Sequence, residues 1–171
     1  GMQPLYNKRI INSLYYDSEL YGMFKDSEEG LLPRKKVRIR WYDDISKATF
    51  EIKISSNEGR YKKTSLLNIS SESTLPTNFF DTNYGVITPS LFVSYVREYF
   101  LFKSMRITFD SYIKYINYRQ SQSIEYKDGE CVVEVKVSAE VSDDYIESML
   151  PIPTARFSKY SRGLLISNYE M

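Results

Sequence analysis

The stretch VRIRWYDDISKATFEIKI, residues 37–54, alternates charged and apolar side chains along two predicted strands. Arg38 and Arg40 alternate with valine, isoleucine and tryptophan in the first strand. Glu51 and Lys53 alternate with phenylalanine and isoleucine in the second. Because successive side chains of a strand point to opposite faces, each strand has one charged face and one apolar face. The stretch therefore predicts two neighbouring strands that share a charged surface.

Three more predicted strands repeat this pattern of a charged face opposite an apolar one. They carry Tyr95 with Arg97, Arg106 with Asp110, and Glu134 with Lys136. An ordinary half-exposed sheet explains any single strand of this kind, but recurring arginine and lysine favour a barrel whose polar faces point inward. Two like charges about 4 Å apart repel by about 4 kcal/mol at an effective dielectric constant of about 20. A lumen with so many cations therefore makes sense only if a polyanion fills it.

The types of charged residue indicate phosphate together with a divalent cation. The planar guanidinium group of arginine binds phosphate oxygens in pairs. Glutamates repel phosphate, so Glu51 and Glu134 make sense as ligands of a cation that bridges protein and phosphate. The sequence contains no histidine, which excludes Ser-His-Asp and Cys-His catalysis and imidazole metal ligands. Oxygen ligands alone favour Mg²⁺ or Mn²⁺ over Zn²⁺.

Length and composition predict one domain over residues 2–171 of the 171-residue chain. The net charge of +1 does not by itself indicate a nucleic-acid or membrane partner. A nucleic-acid binder with basic and aromatic strand surfaces is disfavoured, because aromatics such as Trp41 and Phe50 fall on the face opposite the charges. The sequence shows no membrane-spanning run and no signal peptide. A single cysteine, Cys131, which we expect to be buried among valines, fits a reducing, cytoplasmic location.

Strand-type alternation dominates the chain and predicts a mainly β fold of the α+β class. Strands are predicted at residues 9–17, 36–43, 48–55, 59–67, 90–100 and 104–113. A hairpin with an Asp128-Gly129 turn is predicted at 123–138. A short helix or turn is predicted at 18–26, a Ser142-capped helix at 142–150, a loop or small helical insertion at 68–88, and mixed structure at 156–167.

Six short segments carry a resemblance to a known family. RKKVRIRWY, FEIKI, SYVREYF, RITFD, VVEVK and FSKY occur in the order found in the VTC domain, and SLYYD resembles its early strand. The VTC domain is the polyphosphate-polymerase branch of the triphosphate tunnel metalloenzymes, which are relatives of the CYTH proteins. The resemblance runs from about residue 9 to residue 162. It implies an antiparallel eight-strand tunnel barrel with a basic lumen and helices packed outside.

The resemblance also implies an enzyme that moves the γ-phosphate of ATP onto a polyphosphate chain with Mn²⁺ or Mg²⁺. Arg38 and Arg40 would grip the triphosphate, with Lys53 and one or both of Lys62 and Lys63. Strand parity allows only one of these two lysines to face inward. Tyr95, Arg97 and Arg106 would line the middle of the tunnel, and Lys136, Arg156 and Lys159 would continue the basic track. Glu134 matches the metal-binding glutamate of the family, and Glu51 is a second candidate because it shares the charged face.

One departure from the family pattern concerns the first strand. Family members begin with a strand that carries an E-x-K motif, followed by a helix, whereas this sequence begins with MQPLYNKR after Gly1. We therefore expect a gap in the barrel wall, a partner chain that fills it, or substitution by residues 2–8. The expected partners are ATP or another triphosphate and inorganic polyphosphate, with no nucleic acid. A triphosphatase of the same tunnel class and a non-catalytic polyphosphate-binding module are the alternatives to the polymerase.

Overall fold

The computed structural model describes residues 1–169 and shows one antiparallel sheet of nine strands with three α-helices. The strands are β1 (Gln3–Ser18), β2 (Arg34–Tyr42), β3 (Asp44–Ser56), β4 (Gly59–Leu66), β5 (Phe79–Asp81), β6 (Gly85–Phe102), β7 (Met105–Asn117), β8 (Glu125–Lys127) and β9 (Val132–Lys136). The helices are α1 (Gly22–Glu29), α2 (Asp143–Met149) and α3 (Lys159–Tyr169), and a short 3₁₀ turn lies at Glu72–Thr74. The predicted mainly β fold class is confirmed.

The sheet is open rather than closed into a tunnel. Its strands follow the order β4-β3-β2-β1-β6-β7, with β5 paired to β6 and with β8 and β9 paired to β7. Within residues 1–169, no pairing joins β4 to β8 or β9. All eight residues of β4 are exposed. The closed eight-strand barrel of the sequence prediction is therefore replaced by a nine-stranded sheet with β4 at one edge.

The register of the strands places the charged residues on one surface. Arg38 lies opposite Tyr15 of β1 and Glu51 of β3, and Arg97 of β6 lies opposite Asp110 of β7. Residues directly opposite each other in an antiparallel pair share a face. We call this surface the charged face; its main residues are Arg38, Arg40, Glu51, Lys53, Lys62, Tyr95, Arg97, Asp110 and Glu134.

A hydrophobic core covers the opposite face of β1 and β2. Its buried members are Leu14, Tyr16, Met23, Val37, Ile39, Trp41, Ala48, Ile69 and Ile87. Met23 comes from α1, and Ile69 comes from the segment that follows β4. Full burial of a side chain of this size contributes about 1.5–3 kcal/mol. This core therefore holds β2 in place while its arginines point to the other side.

A second core lies on the same side of the sheet as the charged residues, beneath α3. Its buried members are Ile11, Tyr15, Leu91, Val93, Tyr95, Ile113, Tyr115, Tyr160 and Leu164. Helix α3 approaches so closely at Gly163 that a Cβ atom there would lie 2.6 Å from Leu91 Cδ2 and closer still to the ring of Tyr115. Helices were expected outside the barrel, but α3 covers one end of the charged face.

Both predicted short helices are present, α1 beginning at Gly22 within the predicted segment 18–26 and α2 at Asp143, and a serine hydroxyl accepts from a backbone N–H near the start of each. The hydroxyl of Ser18 accepts a hydrogen bond of 2.9 Å from the backbone N–H of Gly22 at the start of α1. The hydroxyl of Ser142 accepts one of 3.3 Å from Tyr145 at the start of α2. Such contacts satisfy N–H groups that have no partner inside the helix. The mixed segment 156–167 contains most of α3, and 68–88 contains the 3₁₀ turn and β5.

The predicted hairpin at residues 123–138 is wrong. Strands β8 and β9 do not pair with each other but follow one another along β7, which both pair with in antiparallel register. The break between them is held by Asp128, whose carboxylate accepts hydrogen bonds from Arg162 of α3 and from the Tyr115 hydroxyl. Asp128 therefore anchors an interruption in one long edge strand, whereas the Asp-Gly pattern predicted a tight turn.

Two further properties concern the chain as a whole. Cys131 was expected to be buried but is exposed, because it lies in the break between β8 and β9 rather than inside a strand. Among the residues that the structure describes, no helix is long and apolar enough to cross a membrane.

Candidate functional site

Arg38 is the most rigidly held cation of the charged face. Its Nε and Nη2 atoms donate to Glu51 Oε2 at 2.7 and 2.6 Å, and its Nη1 donates to the Tyr15 hydroxyl at 2.9 Å. All three residues are buried. Burial alone would lower the pKa of Arg38, but Tyr15 and Glu51 outweigh it and raise that pKa. Arg38 therefore stays charged in a fixed position on β2.

Glu51 lies at the centre of the β2–β3–β4 half of the charged face. Its Oε2 binds Arg38, and its Oε1 lies 2.6 Å from Lys62 Nζ. Burial raises the pKa of Glu51, but Arg38, Arg40 and Lys62 outweigh it and lower that pKa to about 2. Both oxygens of this ionised carboxylate are engaged by cations, so Glu51 fits an ion-pair anchor better than the metal ligand expected from sequence.

Arg40 is less firmly bound than Arg38, although it lies next to it on the same face. Its Nε and Nη2 atoms lie 3.4 Å from Ser13 Oγ and from the Tyr95 hydroxyl, and its Nη1 lies 4.0 Å from Glu51. These are long contacts for a guanidinium group. Arg40 therefore has donors available for a ligand.

Three lysines form a row across the sheet next to the arginines. Lys36 of β2 lies opposite Lys53 of β3, which lies opposite Lys62 of β4. We call these residues the lysine row. Like charges placed directly opposite each other destabilise a sheet. Within residues 1–169, Lys53 makes no ion pair or side-chain hydrogen bond, so the row holds positive charge that the protein does not neutralise.

Two groups at this position have pKa values close to the physiological range. Lys53 is exposed to solvent on one side, but partial desolvation lowers its pKa, and Arg38 and Arg40 lower it further, to about 8. Burial raises the pKa of Tyr15, but Arg38, Arg40 and Lys53 outweigh it and bring the pKa of its hydroxyl down to about 8. The two lowered pKa values therefore share one cause, the positive charges that lie close together on β2 and β3.

Asp110 organises the β6–β7–β9 half of the charged face. Its carboxylate accepts hydrogen bonds of 2.5 and 2.7 Å from Arg97 and one of 2.6 Å from Lys159. Arg97 Cζ lies 5.4 Å and Lys159 Nζ 4.6 Å from the centre of the Tyr95 ring. Both distances suit cation–π attraction. Arg97, Lys159 and Tyr95, all predicted from sequence as site residues, thus meet around one fully buried aspartate.

Glu134 is held loosely at the border of this half. Its Oε2 lies 3.5 Å from Arg97 Nη2, its Oε1 lies 3.3 Å from Lys136 Nζ, and its side chain is 44% exposed. The residue opposite, Thr108, has a buried hydroxyl with no hydrogen-bond partner among the described residues. No group of three or more potential metal ligands occurs among those residues. Glu134 therefore fits a Mg²⁺ or Mn²⁺ ion only if phosphate oxygens and water complete the shell.

The remaining predicted site residues lie farther from this centre. Arg106 lies opposite Lys136, and both are exposed at the end of the charged face away from α3. Arg156 is exposed and donates to the Ser27 carbonyl of α1. Lys63 lies opposite Ile52, on the other side of the sheet. Of the two neighbouring lysines, Lys62 is therefore the one on the charged face.

Three residues of this site were not assigned from sequence. Tyr15, Asp110 and Lys36 each lie on the charged face. Lys36 Nζ donates to Ser158 Oγ at 2.7 Å, and burial lowers its pKa. Lys36 is two residues before Arg38, and Asp110 is four residues after Arg106, so the alternation of side chains along a strand places each on the same face as that arginine. Tyr15 had no such signal, because its function as a hydrogen-bond partner of Arg38 depends on strand pairing.

This geometry defines a β-sheet protein with one strongly cationic face, and comparison with known proteins identifies its family. The sequence model of the VTC domain matches residues 3–77 and 77–168. The chain therefore belongs to the VTC domain family. No curated protein matches the chain.

One solved structure supports the same class of fold, and two others are similar to a smaller extent. A candidate adenylate cyclase from Bacillus halodurans is similar with a TM-score of 0.56 and 13% identity, over 92% of this chain and 91% of the other. A candidate adenylate cyclase from Vibrio parahaemolyticus has a TM-score of 0.44 and 12% identity, over 87% and 69%. A candidate adenylyl cyclase from Hippeastrum, described as having a dominant triphosphatase activity, has a TM-score of 0.42 and 12% identity, over 86% and 75%. The first of these similarities supports the tunnel-type antiparallel fold.

Proposed function

We propose that this protein is an ATP-dependent polyphosphate polymerase, which transfers the γ-phosphate of ATP to a polyphosphate chain on its charged face. The observation that carries the proposal is the excess of cations around one buried carboxylate. Within residues 1–169, Arg38, Arg40 and Lys62 approach one carboxylate, that of Glu51, and Lys36 and Lys53 extend the lysine row beside it. A polyanion is the ligand that relieves such an excess.

The triphosphate of ATP would bind along β2 and β3. Arg40 has free donors that can chelate phosphate oxygens, and a guanidinium group does so in bidentate fashion. Lys53 would supply a point charge, and Lys62 would exchange part of its contact with Glu51 for phosphate. Arg38 is buried and doubly engaged, so its contribution is a fixed positive potential and the orientation of the Tyr15 hydroxyl.

Transfer of the phosphoryl group would depend on position and charge neutralisation. Such transfers pass through a loose transition state that needs little covalent help from the protein. A terminal phosphate of polyphosphate is already ionised at neutral pH, so the acceptor needs no strong general base. Arg97 and Lys159, both fixed by Asp110, would neutralise charge on the phosphates next to the Tyr95 ring. Catalysis by fixed cations agrees with a sequence that has no histidine.

A basic track for the polymer extends beyond this centre. Arg106 and Lys136 continue it at the end of the face away from α3. Lys36, Ser158 and Arg156 would continue it at the other end, where the N-terminus of α3 lies.

The location that we propose for this protein is the cytoplasm. Its one cysteine, Cys131, is an exposed free thiol, and such thiols persist in a reducing compartment, where ATP is also available.

A divalent cation, Mn²⁺ or Mg²⁺, would be held by Glu134 and by oxygens of the substrate. When bound, it would neutralise phosphate charge as a Lewis acid. The loose contacts and exposure of Glu134 suit this role. Glu51 does not, because both of its oxygens bind cations of the protein.

Incubation with ATP and Mn²⁺, followed by gel electrophoresis for polyphosphate, tests the proposal. Polymerase activity produces chains that grow with time. A chelator added to a parallel reaction should stop their growth. Release of free phosphate without chains would establish a hydrolase, and the absence of both products with retained triphosphate binding would establish a binding module.

A triphosphatase is the second candidate, and the open sheet favours it. The charged face ends at β4, which is exposed along its whole length, and Lys62 has a side chain that is 47% exposed. Water therefore has access to the phosphates bound beside the lysine row. The ratio of free phosphate to polymer formed from ATP distinguishes hydrolysis from transfer to a second phosphate.

A further inference from the structure

An arginine surrounded by tyrosines lies at the end of the charged face away from α3. The Cζ atom of Arg9 lies 5.7 Å from the ring centre of Tyr6 and 5.8 Å from those of Tyr42 and Tyr99. Tyr6 and Tyr99 also pack edge to face with 5.5 Å between their centres. We call these four residues the Arg9 cluster. Each ring is within the range of cation–π attraction to the guanidinium group.

The cluster presents its aromatic and cationic surfaces to solvent. Tyr6 is 54% exposed and Tyr42 is 37% exposed. Within the described part of the chain, Arg9 makes no ion pair and no side-chain hydrogen bond. Flat rings and an unneutralised guanidinium plane at a surface are the groups on which nucleobases stack.

The cluster continues the charged face directly. Arg9 lies opposite Arg97, Tyr42 is two residues beyond Arg40 on β2, and Tyr99 is two residues beyond Arg97 on β6. Two residues of a strand span about 7 Å, which is comparable to the length of a ribose. A phosphate chain that Arg40 binds beside the fixed charge of Arg97 would therefore place an attached nucleoside at the cluster.

The opposite end of the charged face cannot accept a base in the same way. Tyr160 and Leu164 of α3 are buried there, and the Tyr160 ring stacks on Tyr15 with 4.8 Å between their centres. The end that carries the Arg9 cluster is exposed. The orientation of a bound nucleotide is thus restricted to one direction, with its phosphates toward the lysine row.

We propose that the Arg9 cluster is a nucleobase-binding site, which stacks the base of a nucleoside triphosphate on its tyrosine rings and on the Arg9 guanidinium plane. This inference rests on the proposed function only in that the triphosphate must bind to the charged face. It adds a preference for a nucleotide over a bare phosphate chain. The face then binds two chemically different groups, phosphates in its centre and an aromatic base at its exposed end.

Dissociation constants measured by calorimetry, without divalent metal, test this site. The ligands are a non-hydrolysable ATP analogue and inorganic tripolyphosphate. Replacement of a stacking ring, in Tyr42→Ala or Tyr6→Ala, should weaken the ATP analogue about tenfold and leave tripolyphosphate unchanged. Tyr42→Phe should bind like the wild type, because it retains the ring. Tyr61→Ala is the matched control: Tyr61 is 49% exposed and lies opposite Ile54, on the other side of the sheet.

The possible outcomes separate this inference from the function on which it rests. Tyrosine variants that keep wild-type affinity for the ATP analogue would overturn the base site alone. Equal weakening of both ligands would also overturn it, because the cluster would then act on phosphate. A wild-type protein that binds neither ligand would overturn the proposed function and the base site together.

Discussion

The two halves of the charged face use their cations in different ways. On β2, β3 and β4, five cations surround a single carboxylate, with formal charges of Lys36, Arg38, Arg40, Lys53 and Lys62 against Glu51. On β6, β7, β9 and α3, four cations accompany two carboxylates, with Arg97, Arg106, Lys136 and Lys159 against Asp110 and Glu134. The first half therefore carries a formal charge of +4 and the second +2. The unpaired cations of the first half are available to bind a polyanion, whereas the ion pairs of the second half hold Arg97 and Lys159 in fixed positions.

The largest expected effect belongs to the second half and concerns turnover. Glu134→Gln should reduce metal-dependent turnover of ATP to background, because an amide is a poor ligand for a hard cation. Binding of tripolyphosphate without metal should not weaken, because the change removes a negative charge. Turnover and binding are measured on the same preparation, with circular dichroism to verify the fold. Normal turnover with Mn²⁺ would remove Glu134 from the metal site.

A large loss of affinity is expected from the first half. Arg40→Ala should weaken tripolyphosphate binding about 100-fold, which corresponds to about 3 kcal/mol and two charge-assisted contacts. Lys47→Ala is the control for the loss of one positive charge, because Lys47 is an exposed lysine of β3 outside the lysine row. Calorimetry measures both variants. Equal affinities for the two variants would show that net charge, and not the position of Arg40, determines binding.

A smaller effect should follow from pH. The pKa values of Lys53 and Tyr15 are both lowered to about 8. As pH rises from 7 to 9, Lys53 loses a positive charge and Tyr15 gains a negative one, so the affinity for tripolyphosphate should fall at least tenfold.

The variants Lys53→Met and Tyr15→Phe should each flatten this pH profile, because each removes one titrating group. The same profile measured for Lys47→Ala should follow that of the wild type. Affinity that stays constant from pH 7 to 9 in the wild type would show that neither group changes its charge in that range.

The smallest effect is expected from two adjacent lysines on β4. Lys62→Ala should weaken tripolyphosphate binding about fivefold, since its ammonium group is partly exposed and partly engaged by Glu51. Lys63→Ala should bind like the wild type, because Lys63 lies on the other side of the sheet. Both substitutions remove one positive charge, so a difference in affinity between the two variants must come from the side of the sheet on which each lysine lies. Similar losses would indicate that β4 can shift its register.

Strand parity was the part of the fold that the sequence predicted well. The alternation around Arg38, Glu51 and Arg97 is a local property, and hydrogen-bonded pairing carries it unchanged from strand to strand. The turn signal at Asp128 and Gly129 was misleading, because Asp128 instead forms a long-range ion pair with Arg162 of α3. Contacts over that distance leave no mark in a short window of sequence.

The candidate site was predicted for its cations but not for their partners. Nothing in the alternation reveals that Glu51 accepts hydrogen bonds from Arg38 at 2.6–2.7 Å, which removes it as a free metal ligand. Likewise, the three tyrosines around Arg9 come from β1, β2 and β6 and meet only through strand pairing. Residue types and parity fix which groups share a surface, and only the packing determines which of them are left unpaired.

The close approach of α3 at Gly163 has a consequence for the position of Lys159. The two residues are one helical turn apart on the same side of α3, and Lys159 Nζ lies 2.6 Å from Asp110 Oδ2 in its ion pair. A methyl group at position 163 would meet Leu91 and Tyr115 and push this part of the helix outward, together with the lysine. The absence of one side chain thus sets the depth at which a charged group enters the sheet.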